Sequence, residues 1–261
     1  MASSATDSQN RDKDIREQLI KTGHVDVMIS VANNFFYTKS HPCSLWFFDR
    51  GKREDLKDKV LFVDARNYYT IVDRTLNEWN EWQLRNLNAI VWLYRGEGEK
   101  YKKLLSDYEA ALKEVDMGRD FSGALLTLKD RLKGQQEQAK EEVEKANRRD
   151  KKALQAEWDA KIAGTEELIG IANEAVWLYD KFGEGEYCDV PGLCRIATLT
   201  EIEEKGWSLT PGAYVGVAAV KTDNVDFSTR MKEIHSELLS LQAESNDLMA
   251  TISKNMDEIG G

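Results

Sequence analysis

Residues able to do chemistry are few in this chain and mostly far apart. His24, His41 and His235 are scattered, and their spacing builds no Ser/His/Asp or Cys/His arrangement, so a hydrolase reading has no support. Cys43, Cys188 and Cys194 are odd in number and none forms a C-x-x-C pair. They suggest neither a disulfide framework nor a zinc site and read as reduced thiols. Asp49 and Asp64 close apolar runs, a place used by catalytic carboxylates but equally by residues that merely end strands, and they are given no role. The one concentrated feature is the polar, aromatic run Asn33-Asn34-Phe35-Phe36-Tyr37. Three rings in a loop can offer a flat stacking face, although beside a strand their ordinary use is packing.

The elements around that loop follow from patterning. Val25, Val27, Ile29 and Val31 alternate with Asp26, Met28 and Ser30 before it, which predicts a strand. The unbroken apolar run at 45–48 predicts a second strand, covered on both faces. Residues 60–66 supply a third, and 12–22 a short surface helix stopped by Gly23. Beyond Arg66 the pattern turns helical. Thr75 and Glu78 have capping-box spacing before Trp79, Trp82, Leu87, Ile90, Val91 and Tyr94. A second helix over 99–115 carries Tyr101, Leu104, Leu105, Tyr108 and Leu112 at three- and four-residue steps, a core pattern rather than a binding box.

Residues 125–179 read as one long helix or a broken hairpin, with Gly134, Gly164 and Gly170 as weak points. Its sign-alternating stretch 140–152 reads as a solvated face. The Gly-Glu-Gly-Glu turns after Tyr94 and Phe182 are helix stops, since their acids would repel a phosphate. Pro191-Gly192 and Pro211-Gly212 mark turns, and the apolar segments 193–198 and 214–220 read as extended. The last helix, about 226–258, sets Phe227, Met231, Ile234, Leu238, Leu241, Leu248 and Ile252 on a near-heptad seam, with Ser245 interrupting it. Such a narrow seam seeks a partner helix.

A length of 261 residues and 41% hydrophobic content suffice for a core. The net charge of −10 counts against a surface that embraces nucleic acid on its own. No run approaches the eighteen or so apolar residues of a membrane span, and the start is polar rather than signal-like, so a soluble, cytoplasmic protein is expected.

The segment VDVMISVANNFFYTKSHPCSLWFFDRGK followed by LFVDAR, then Asp189-Val-Pro-Gly-Leu-Cys and Gly206-Trp-Ser-Leu-Thr-Pro-Gly-Ala-Tyr-Val-Gly-Val, resembles the modification (M) subunits of type I restriction-modification systems, which are adenine-N6 DNA methyltransferases. The resemblance implies an α/β remnant, about three strands of a methyltransferase-like sheet, followed by a mainly α-helical region with long helices. Residues 1–72 would be the C-terminal part of the catalytic domain and 73–261 the helical region. Met1 would correspond to an internal methionine, making the chain a C-terminal portion of such a subunit.

The resemblance further implies that Phe36, with Phe35 and Tyr37 as near alternatives, stacks on a target base rotated out of the duplex. It also implies that the terminal seam packs on a specificity subunit, and that a restriction subunit and DNA join through the complex. The family's chemistry needs a Gly-rich turn for S-adenosylmethionine and an Asn-Pro-Pro-Phe or Tyr loop for the amino group. The only prolines here are Pro42, Pro191 and Pro211, and no G-x-G-x-x-G is present. No catalytic, cofactor-binding or metal-binding residue is therefore assigned, and the chain alone is expected to be silent. The reading from a different class is a free-standing helical adaptor that uses the terminal seam and has no role on DNA.

Overall fold

The computed structural model describes residues 13–36, 40–147 and 149–217, together with helical positions scattered between 231 and 249. The chain forms two compact units, residues 1–218 and 219–261. Within the first, α1 (Lys13–Lys21) ends at Gly23, whose φ of +71° lets its N–H turn back to the Ile20 carbonyl. β1 (Val25–Val31), β2 (Cys43–Phe48) and β3 (Lys59–Asp64) are the three expected strands. A fourth, β6 (Cys194–Thr198), comes from the segment read as extended. The sheet order is β2-β1-β3-β6, with β1 and β3 parallel and the other neighbours antiparallel.

Each face of the sheet is covered. On one side Val27, Ile29, Leu61 and Val63 meet Leu87, Ile90 and Tyr101 from α2 (Glu81–Tyr94) and α3 (Gly98–Ala111). On the other, Met28, Val60 and Phe62 meet Ile20 of α1, Ile202 of α6 (Leu199–Glu204) and Tyr214, whose ring stacks on Phe62 at 3.9 Å. Double cover explains why β1 is buried at every residue, Asp26 and Ser30 included, instead of turning its polar residues to water. It also corrects the reading of 45–48. That run lies on an outer strand, so Phe47 and Phe48 stay 46% and 48% exposed, and the strands covered on both faces are β1 and β3.

A bulge sets the sidedness of β1. Val25 faces Phe48 and Val27 faces Phe47, leaving Asp26 as the extra residue. Val25 then joins the cluster on one face and Val27 the cluster on the other, which a regular strand would forbid.

The helical region differs from expectation at two boundaries. Thr75 and Glu78 do not cap a helix. They belong to a hairpin, β4 (Thr70–Ile71) with β5 (Asn77–Glu78), whose turn is closed by Asp73 accepting from the Thr75 N–H and hydroxyl. The capping box sits five residues later: Gln83 N–H donates to the Asn80 side chain at 2.8 Å, and Asn80 N–H donates back to the Gln83 side chain at 3.1 Å. The long stretch is a helical hairpin, α4 (Phe121–Lys145) and α5 (Lys151–Phe182), broken at 146–150 rather than at a glycine. There the Asn147 carbonyl accepts from the N–H groups of Asp150 and Lys151.

Candidate functional site

The aromatic loop leaves the carboxyl end of β1. Asn34 takes φ +60°, a left-handed conformation that asparagine tolerates better than most residues. Its carbonyl accepts the Asn77 backbone N–H at 2.8 Å, and the preceding Asn33 carbonyl accepts the Asn77 side-chain amide at 2.9 Å. Phe35 turns inward, 4.8 Å from the Trp79 ring and 5.9 Å from that of Tyr69. Phe36 projects, with 49% of its surface exposed. Tyr37 lies outside the described residues. The structure thus separates two of the three candidate rings: Phe35 packs and Phe36 is half exposed.

Behind the loop lies a polar network that the sequence reading missed. The Glu174 carboxylate on α5 accepts from the Tyr68 hydroxyl, from Gln83 Nε2 at 3.1 Å and from Asn86 Nδ2. The Asn86 side-chain oxygen accepts the Tyr108 hydroxyl at 2.9 Å. Burial, then the neighbouring Glu174 charge, pushes the phenols of Tyr68 and Tyr108 well above their ordinary range. Trp79 is tied to the same loop, donating from Nε1 to the Tyr68 carbonyl at 2.7 Å. The sequence signal was a pair of polar residues three apart, Gln83 and Asn86, on the buried side of α2.

At the opposite end of β1 a charged cluster is sealed in. Asp26, 1% exposed, binds Arg95 at the end of α2, and its other oxygen lies 3.6 Å from Lys52 Nζ. Lys52, 5% exposed, also donates to the Val25 and Lys59 carbonyls. Burial lowers its pKa, and Asp26 opposes that shift. Between β1, β2 and α2 runs a cavity of about 290 Å³, walled by Val27, Leu45, Phe47, Trp79, Trp92 and Arg95.

No group of three or more His, Cys, Asp and Glu able to hold a metal occurs among the described residues. Neither β1 nor β3 runs through a Gly-rich turn into a helix: β1 leads through the aromatic loop to β2, and β3 leads to the β4–β5 hairpin. Of the seam residues, Met231, Leu238, Leu241 and Leu248 are helical and more than half exposed, while Phe227, Ile234 and Ile252 lie outside the described residues. No helix among the described residues is long and apolar enough to cross a membrane.

Comparison with known proteins gives a consistent picture. Residues 1–117 match the family model described as N-6 DNA Methylase. Over 260 residues the chain is 25% identical to the type I restriction enzyme MjaIX methylase subunit of Methanocaldococcus jannaschii, covering all of this chain and 31% of that protein. Over 261 residues it is 25% identical to the type I restriction enzyme HindI methylase subunit of Haemophilus influenzae, covering all of this chain and 39% of that protein. The chain therefore spans about a third of the length of these curated relatives. A crystal structure of the type I restriction-modification system methyltransferase subunit from Streptococcus thermophilus aligns with 83% of this chain and 25% of its own, at 12% identity and a TM-score of 0.38.

Proposed function

We infer that this chain, a relative of type I restriction enzyme methylase subunits along its whole length, serves as the part of such a subunit that presents the target-base ring and the assembly helices. The observation that carries the reading is the split between neighbouring aromatics: Phe35 is packed on Trp79 while Phe36 remains half exposed. Ligands of open α/β sheets sit beyond the carboxyl ends of the strands, which is where β1 delivers this loop. An enzyme that acts on one base must draw it from the stack and hold it on a flat ring.

The remaining chemistry falls to the rest of the subunit. S-adenosylmethionine does not fit the residues present, because neither β1 nor β3 opens into a Gly-rich turn and helix. No Pro-Pro dipeptide exists to build the amino-group loop. The chain alone is catalytically silent on this reading. With a net charge of −10 it meets DNA only inside a complex, where the terminal seam docks on a specificity subunit and a restriction subunit completes the assembly.

The test is Phe36→Ala in the complete M subunit, assembled with its specificity subunit and assayed for adenine methylation. Stacking of a base on an aromatic ring is worth about 1 to 3 kcal/mol, so methylation should fall roughly five- to 150-fold. The melting temperature and duplex affinity should stay close to wild type, because a half-exposed ring holds little of the core. A loss of stability in step with activity would make Phe36 a packing residue and sink the proposal.

A further inference from the structure

We propose that Asn77 is the positioning residue of the Phe36 loop, an inference that rests on the stacking role given to Phe36 above. Asn77 is 7% exposed and lies 44 positions downstream of the loop it holds. It binds two successive loop carbonyls, its side-chain amide donating to Asn33 at 2.9 Å and its backbone N–H to Asn34 at 2.8 Å. Those bonds bracket Asn34, whose φ of +60° is a left-handed turn that asparagine tolerates and that the two bonds help to hold. The chain turns there, and the next two rings part: Phe35 goes in and Phe36 stays out.

The second anchor comes from the residue just past β5. Trp79, two residues after Asn77, carries the Phe35 ring at 4.8 Å and is itself fixed by its N–H bond to the Tyr68 carbonyl. One amide from β5 and one indole just past it thus fix the loop on either side of Asn34. Phe36 is the ring left to face outward.

Only the side-chain amide of Asn77 is open to substitution, since its backbone bond survives any change. Asn77→Asp keeps the shape but turns a carboxylate oxygen toward the Asn33 carbonyl, and Asn77→Ala removes the donor altogether. The full chain is labelled with 4-fluorophenylalanine, and the Phe35 and Phe36 signals are assigned by Phe35→Leu and Phe36→Leu. Both Asn77 variants should move the Phe35 and Phe36 fluorine signals toward the values of solvent-averaged rings. The signals of Phe62 and Phe121, buried in the two cores, should not move.

In the assembled M subunit with its specificity subunit, 2-aminopurine at the target position should lose about five-fold or more of its binding-induced emission change in either variant, as expected when a single part-buried hydrogen bond to the stacking loop is lost. Duplex affinity should stay within about two-fold, since phosphate contacts dominate it. Unchanged Phe35 and Phe36 signals in both Asn77 variants would overturn the positioning role whatever the DNA does. Moved signals with full 2-aminopurine response would also overturn it, provided Phe36→Ala lowers that response. If Phe36→Ala itself leaves the response intact, the stacking reading fails, and the fluorine signals still decide what Asn77 does to the loop.

Discussion

Replacing Asp26 by leucine isolates the charge sealed at the start of β1. The substitution leaves Lys52, 5% exposed, with the Val25 and Lys59 carbonyls as hydrogen-bond partners and the Asp49 and Asp58 charges as weaker support. The lysine must then stay charged without a carboxylate in contact or give up its proton. Giving up the proton at pH 7 costs about 1.36 kcal/mol for each unit between 7 and the ordinary 10.5, a ceiling near 5 kcal/mol. Burial already lowers the Lys52 pKa, so part of that cost is present in the parent protein. The Arg95 contact adds little, because its side chain is 36% exposed. We expect a loss of about 3 kcal/mol, in line with breaking other buried pairs from one side.

The sign with pH is opposite to that of an ordinary ion-pair loss. In the variant the folded state favours neutral Lys52, while the unfolded state binds its proton up to about 10.5, so stability rises with pH across that window. Urea melts followed by circular dichroism should show the deficit shrinking by about 3 kcal/mol between pH 7 and about pH 9.5, at 1.36 kcal/mol per unit. Adding Lys52→Met should recover at least half of the loss, since an apolar pair replaces a buried ionic one at little cost. A deficit below about 1 kcal/mol, or one indifferent to pH, would refute the reasoning.

Three further outcomes are expected. Tyr68, Tyr94, Tyr101, Tyr108 and Tyr214 are all nearly buried with raised phenol pKa values. The stability they hold is complete below pH 10 and lost above it at about 1.4 kcal/mol per phenol per pH unit, so helical dichroism should collapse between about pH 11 and 12; retention of the native spectrum at pH 12 would count against this burial. Isothermal calorimetry of the chain with S-adenosylmethionine should give no saturable heat at micromolar concentration, and a clear isotherm would mean that a cofactor site has been overlooked. Leu238→Asp with Leu241→Asp should abolish co-purification with a specificity subunit and leave the chain's own dichroism unchanged, each buried leucine contributing about 1.5 to 3 kcal/mol to an interface; unfolding of the isolated chain would show instead that the seam packs internally.

The strands and most helices were legible because their apolar spacing is local. Valines at period two, and tyrosines and leucines at three and four, state their element without reference to the rest of the chain. What was not legible depended on neighbours. The run at 45–48 looks like a doubly covered strand because nothing in its residues says that it is an outer one. Thr75 with Glu78 and Asn80 with Gln83 share one spacing, and only the Asp73 turn decides that the first pair belongs to a hairpin. The break at 146–150 contains neither glycine nor proline. Within the site, three aromatics in a row mark the loop, but which of them points outward depends on Asn77, Trp79 and Tyr69, and no local pattern in the sequence links those residues to the loop.

The helices are part of what places the loop rather than a support added behind it. From Phe35 the contact passes to Trp79, from Trp79 Nε1 to the Tyr68 carbonyl, and from the Tyr68 hydroxyl to Glu174 on α5. The Tyr68 ring also stacks on Trp177 of the same helix at 4.0 Å. Apolar packing alone tolerates small sliding of a helix over a sheet, whereas a half-buried carboxylate with several donors is satisfied in one register. Glu174 draws those donors from both the loop after β3 and α2, so a shift of α5 along its axis would unmake bonds in both. The Phe36 loop is therefore joined to α5 by a continuous chain of side-chain contacts.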